Sequence, residues 1–219
     1  MKKAAIFHTS TGTLALMQTL TKQFMPDVTI MHIVEDSMIS DVMKNKGMTP
    51  EINARIAAYV DCANLAGCHI FFSACSSIGK SVELCQFVSK IPVMRIDEAM
   101  AVEAVTTYKN IAVLATVGTT LAPTLEYINR QAAEAGKTLN VQSMLMEEAF
   151  KAFLAGELEK HDEIVANGIK EALGKKCEAI ILAQASMARV LDKTGPLSVP
   201  VLTSPERGIK LLKERLDKI

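Results

Sequence analysis

The chain has 219 residues, enough for one large domain or two small lobes with cores of their own. Its 24 basic and 24 acidic residues cancel, so no basic field exists to attract nucleic acid or an anionic membrane. Hydrophobic residues make up 49% without any low-complexity tract, which excludes a disordered chain and points to a compact globule.

The first predicted element is a strand over 3–8, followed by a polar turn, Thr9-Ser10-Thr11-Gly12-Thr13. That turn also cuts the apolar start too short for a secretory core, and no later run approaches a membrane span. Helical spacing over 14–24 leads to a strand over 28–34, and 35–46 reads as a loop with a short helix. Thr49-Pro50-Glu51 is a strong helix start, with a Thr cap, Pro in the first turn and an acidic residue, and Gly67 ends that helix after 66. Residues 68–74 read as a strand, 81–89 as a helix, 92–96 as a short strand and 97–108 as a helix. Then come a strand over 111–115, a turn over 116–120, a helix over 121–135 stopped by Gly136, and a strand over 139–144. Helices over 147–158 and 162–173, strands over 179–183 and 199–202, and a helix over 205–216 complete the chain. Such alternation predicts mostly parallel sheets with right-handed crossovers.

In an open α/β sheet, ligands bind beyond the carboxyl ends of strands. Phe71-Phe72-Ser73-Ala74-Cys75-Ser76-Ser77 places a thiol and two hydroxyls there, just before a helix. A helix N-terminus lowers a thiol pKa, although most free cysteines are merely small core residues. Five cysteines without CxxC or Cys/His spacing suit free thiols in a reducing cytoplasm, and the four histidines are scattered, so no metal is expected. Cys62, Cys68, Cys85 and Cys177 fall on elements expected to be packed. Asp97 and Glu98 read as partners of a helix dipole, and Glu147 and Glu148 as structural.

Three blocks repeat in order. Lys2–Ala15 lines up with Lys109–Ala122, Cys68–Ile78 with Cys177–Met187, and Ile91–Met94 with Val199–Leu202, at offsets of 107, 109 and 108. A duplication predicts two pseudo-symmetric Rossmann-like lobes, each a short, mostly parallel sheet flanked by helices, with the active site in the cleft between them. The expected boundaries are 1–96 plus 205–219 and 97–204. Cys75 and Gln184 occupy equivalent positions.

The first turn, Ala74-Cys75-Ser76-Ser77, Ala115-Thr116-Val117-Gly118-Thr119 and Leu182-Ala183-Gln184-Ala185-Ser186-Met187-Ala188 together resemble the aspartate/glutamate/hydantoin racemase superfamily over nearly the whole chain. The resemblance implies an isomerase acting, without a pyridoxal cofactor or metal, at a carbon next to a carboxylate. In that superfamily one thiolate removes a proton and a second thiol returns one. The first cysteine maps onto Cys75. The second belongs in a Leu-Gly-Cys-like segment, where this chain has Leu182-Ala183-Gln184, and Gln184 offers hydrogen bonds but no usable acid or base. The acidic helper of the first turn and the histidine after the second cysteine are also replaced.

Two chemistries remain open for Cys75: a single acid/base on an enolate-like intermediate, as in one-cysteine decarboxylases, or covalent attack, as in related cis–trans isomerases. Ser76, Ser77, Thr116, Gly118 and Thr119, with Thr11, Gly12 and Ser186, are candidate carboxylate ligands through hydroxyl and backbone N–H groups. Ordinary capping is the alternative for each. Gln184 is a candidate hydrogen-bonding partner of substrate. The rival class is a degenerate small-carboxylate-binding protein, and thioester chemistry at Cys75 is a weaker third. A dinucleotide site is set aside because no GxGxxG follows the first strand. The expected partner is a small carboxylate, with homo-oligomerisation left open, in the cytoplasm.

Overall fold

The structure, a computed structural model, describes residues 1–219. Its chain forms two compact units, Met1–Glu98 with Pro205–Ile219 and Ala99–Ser204. No helix is long and apolar enough to cross a membrane.

In the first unit, strands β1 (Lys3–His8), β2 (Thr29–Val34), β3 (Ile70–Ser73) and β4 (Val93–Arg95) form a parallel sheet in the order β2-β1-β3-β4. β1 and β3 are central and read as unbroken apolar runs because both of their faces are covered. Helices α1 (Leu14–Phe24), α2 (Met38–Lys44), α3 (Pro50–Leu65) and α4 (Gly79–Cys85) make the connections. In α3, the Thr49 hydroxyl accepts from the Ile52 N–H, and Ile52, Ile56, Val60 and Ala63 form the buried stripe against Phe7, Phe71 and Val82. Cys62 lies off that stripe and is exposed, which corrects its assignment to the core; Cys68, Cys85 and Cys177 are buried. The segment expected to be helical over 81–89 instead begins as a 3-10 turn at Ser76–Ile78, continues as α4 and stops at Cys85, leaving Phe87 and Val88 exposed.

The second unit holds α5 (Glu98–Thr107), β5 (Asn110–Ala115), α6 (Gly118–Glu134), β6 (Asn140–Leu145), α7 (Glu147–Leu154), α8 (Leu158–Gly174), β7 (Ala179–Leu182), α9 (Leu191–Thr194) and β8 (Val201–Thr203). Its parallel sheet runs β6-β5-β7-β8. Glu98, the first residue of α5, belongs to the first unit. α6 starts three residues before its expected start, so Pro123 lies inside it and forfeits a bond to the Thr119 carbonyl. Gly156, at φ +76°, parts α7 from α8 earlier than expected.

The repeat is visible in the hydrogen-bond register itself. Ala4 pairs with Ile70 as Ile111 pairs with Ala179, and Phe71 with Val93 as Ile180 with Val201. These are the offsets found in the sequence. The helix after β4, α5, packs Met100, Ala101, Ala104 and Val105 into the core of the second unit. The helix after β8, α10 (Ser204–Asp217), returns to the first unit, where Gly208 lies against the Ile96 carbonyl.

Candidate functional site

The candidate residues of the first unit lie at the carboxyl edge of its sheet. β1 and β3 are adjacent, with Phe7 opposite Ser73, so the turns that follow them are neighbours. Thr11 and Gly12 sit exposed in a 3-10 turn, Thr11–Thr13, capped by the Ser10 hydroxyl. Cys75 follows β3 in extended conformation and is half-buried. Ser73 fixes its backbone: the Ser73 hydroxyl accepts from the Cys75 N–H at 3.4 Å and donates to the Cys75 carbonyl at 3.3 Å. The thiol thus stands at a strand end, just ahead of the turn that opens α4, while Ser76 and Ser77 are buried in that turn.

Two clusters behind this edge escaped the sequence reading. His8, the last residue of β1, is fully buried; its Nε2 lies 3.0 Å from His32 Nδ1, and its Nδ1 lies 3.0 Å from Thr13 Oγ1. His8 and His32 are therefore not scattered, because pairing Ile6 with His32 puts His8 beside it on the same sheet face. Burial first, and then the charge of His32, lower the His8 pKa to about 4, and burial lowers His32 as well. Arg95, at the end of β4, is buried and donates in bidentate fashion to Asp97 (2.6 and 2.8 Å) and to Glu83 (3.1 Å). Asp97 is consequently an ion-pair partner rather than a helix-dipole residue. Glu98 pairs with Arg215, although its burial pushes its carboxyl up. A Cβ on Gly79 would overlap the Arg95 guanidinium, so glycine lets α4 approach it closely.

In the second unit the turns after β5 and β7 are joined directly. The Thr116 N–H and hydroxyl both donate to Gln184 Oε1, at 2.6 and 3.0 Å. Leu114 lies opposite Leu182, which brings the two strand ends together. Thr116 was expected to offer its donors to a ligand; they are committed to Gln184 instead. Gly118 and Thr119 open α6, whose cap, Val117, makes no side-chain bond, and Thr119 Oγ1 is buried without a partner. Ser186 lies half-buried in a 3-10 turn, Ala185–Val190. That turn and α9 are tied to α8 through buried Asp162, which accepts from Arg189 (3.1 Å), Lys193 (2.7 Å) and His161 (2.9 Å). No group of three or more His, Cys, Asp or Glu side chains is placed to hold a metal ion.

The profile of the Asp/Glu/Hydantoin racemase family matches residues 7–212. The chain belongs to that family. It is an isomerase of the racemase type. The fold is similar to that of a glutamate racemase isoform from Bacillus anthracis (17% identity, TM-score 0.76, 99% of this chain and 82% of that one). It is also similar to a putative Asp/Glu racemase from Yersinia pestis (15%, 0.76, 99% of both chains) and to allantoin racemase from Klebsiella pneumoniae (15%, 0.70, 100% and 89%). No curated protein matches the chain in sequence.

For a racemase-family chain the two units are unequal. Cys75 provides a thiol after β3, and the equivalent place after β7 holds an amide whose carbonyl is already occupied. Two of the groups that sequence reasoning missed, His8 and Arg95, sit at the ends of β1 and β4, flanking β3. The strand order was the signal that would have found them.

Proposed function

We propose that this racemase-family chain works without a cofactor at a carbon next to a carboxylate, with Cys75 as its one thiol in the chemistry. The carrying observation is the half-buried Cys75 at the end of a central strand, set against Gln184 at the repeat-equivalent place. A thiolate there takes the proton from the carbon, and hydroxyl and N–H groups of the polar turns hold the developing oxyanion. An amide can neither accept nor supply a proton at neutral pH, so the second unit contributes recognition at this position rather than acid–base chemistry. The substrate class this supports is a small carboxylate, handled in the cytoplasm.

The test is proton NMR in D₂O with aspartate, glutamate, hydantoins, malonates and unsaturated diacids, using Cys75→Ala as control. Deuterium entering beside the carboxylate without inversion is the expected result, lowered at least a hundredfold by the substitution, in keeping with the typical worth of a general base. Unchanged turnover in Cys75→Ala would overturn the mechanism. Exchange accompanied by inversion would show that a second proton donor exists.

A further inference from the structure

We infer that Gln184 is a fixed one-way donor: it fixes specificity by requiring an oxygen acceptor, a carboxylate or carbonyl, on the part of the ligand that docks beside it. The inference rests on reading the turn after β7 as part of the substrate site, and it adds the polarity of that position.

Thr116 dictates the orientation of the amide. A backbone N–H can only donate, so the Gln184 atom 2.6 Å from the Thr116 nitrogen is the carbonyl oxygen, Oε1. The Thr116 hydroxyl, 3.0 Å from the same oxygen, must then donate as well. Both lone-pair positions of Oε1 are filled. Thr116 is 1% exposed, so water does not compete for these bonds, and flipping the amide would set N–H against N–H in a buried setting.

What remains to Gln184 is its NH₂, which donates to no protein group and is not sealed in the interior. Its two N–H bonds point away from Thr116 and suit an oxygen acceptor. An ammonium or other donor placed there would meet two N–H groups and lose its own solvation without return. A pocket whose polar group is preset in this way discriminates strongly, because the wrong ligand leaves buried groups unpaired.

The lock is tested in the protein labelled with ¹³C and ¹⁵N. A coupling across the hydrogen bond from the Thr116 amide nitrogen to the Gln184 side-chain carbonyl carbon is expected, and its absence would overturn the orientation. The Gln184 NH₂ pair, identified by its loss in Gln184→Leu, is then followed during titration with malonate, D- and L-aspartate, hydantoin and, as a donor-only control, methylammonium. The oxygen acceptors should move the pair and methylammonium should not. Gln184→Leu and Gln184→Glu should weaken binding of whichever acceptor moves it by about tenfold to a hundredfold, the usual worth of hydrogen bonds to charged or buried groups. A carboxylate ligand should suffer more in the Glu variant than in the Leu variant, because two carboxylates then face each other. A pair unmoved by every acceptor overturns the inference, whatever else shifts. Loss of turnover in Cys75→Ala with an unmoved pair would leave the single-thiol reading standing alone. A shifted pair without any exchange at carbon would leave this inference standing and remove that reading.

Discussion

Acidification should destabilise this protein in part through one buried imidazole. His8 is fully buried, and its folded pKa lies at about 4 against an ordinary value of 6.5. Above pH 6.5 both folded and unfolded His8 are neutral, and the group adds nothing to the pH dependence. As pH falls below 6.5 the unfolded chain takes up a proton that the folded chain refuses, so stability is lost until the folded pKa is passed. A displacement of about 2.5 units corresponds to a ceiling of about 3.4 kcal/mol, of which about 2.5 kcal/mol falls between about pH 7.5 and pH 4.5. The geometry says why: a proton on His8 faces burial first and then the neighbouring His32, whose Nδ1 lies 3.0 Å from the His8 Nε2.

Urea unfolding of wild type and His8→Asn at a series of pH values reads this contribution together with any change in His32, its neighbour, whose pKa burial also lowers. Asp162 and Asp217 also lose stability in acid, since their cationic partners hold their carboxyls low against the upward push of burial, but those losses are common to both proteins. The variant should therefore be about 2 to 3 kcal/mol less sensitive to acid over that range, whatever its stability at neutral pH. Parallel pH profiles would refute the argument. Should the variant fail to fold, the His8 ring proton of the wild type gives the same answer: its shift should show no titration step above about pH 5.

Three glycines predict a ranking. Gly208→Ala puts a Cβ 2.7 Å from the backbone carbonyl of Ile96, which cannot step aside, and should cost about 2 to 3 kcal/mol in chemical denaturation. Gly79→Ala meets the Arg95 guanidinium, mobile in principle but held by Asp97 and Glu83, and should cost about 1 to 2 kcal/mol. Gly168→Ala meets the flexible end of Met146 and gains helix propensity, so a change within about 1 kcal/mol of zero is expected. Asp162→Asn removes a buried carboxylate from Lys193 and Arg189, both able to return to water, and should cost about 1 to 3 kcal/mol at neutral pH, a difference that shrinks as the wild-type carboxylate is protonated in acid.

The central strands, the parallel alternation and the duplicated order could be read from the chain because each depends on local pattern: buried runs such as Ile70 to Ser73, caps such as Thr49, stops such as Gly67 and Gly136. Helix starts were less legible. The helix expected from 121 begins three residues earlier, because Gly118 to Thr120 continue directly from the β5 turn. The side-chain pairs behind the site were illegible for a different reason. His8 meets His32, and Thr116 meets Gln184, only through strand adjacency, across 24 and 68 positions of sequence. Arg95 and Asp97 are close in sequence, but a spacing of two at a strand end does not announce a buried bidentate pair.

Equal register makes the inequality of the two units informative. Because the strand pairings correspond residue by residue, the same backbone places can be compared between them. Where the first unit has His8, His32, Cys75 and Arg95, the second has Ala115, Ser143, Gln184 and Thr203. Every ionisable or nucleophilic side chain of that set is matched by one without a charge to gain or lose. Equal register thus carries two different sets of side chains at the strand ends and turns. Symmetric proton transfer needs two groups able to exchange a proton, and of Cys75 and Gln184 only the thiol is of that kind. On the proposed single-thiol reading, proton handling falls to the first unit, and the second would recognise its ligand through neutral donors.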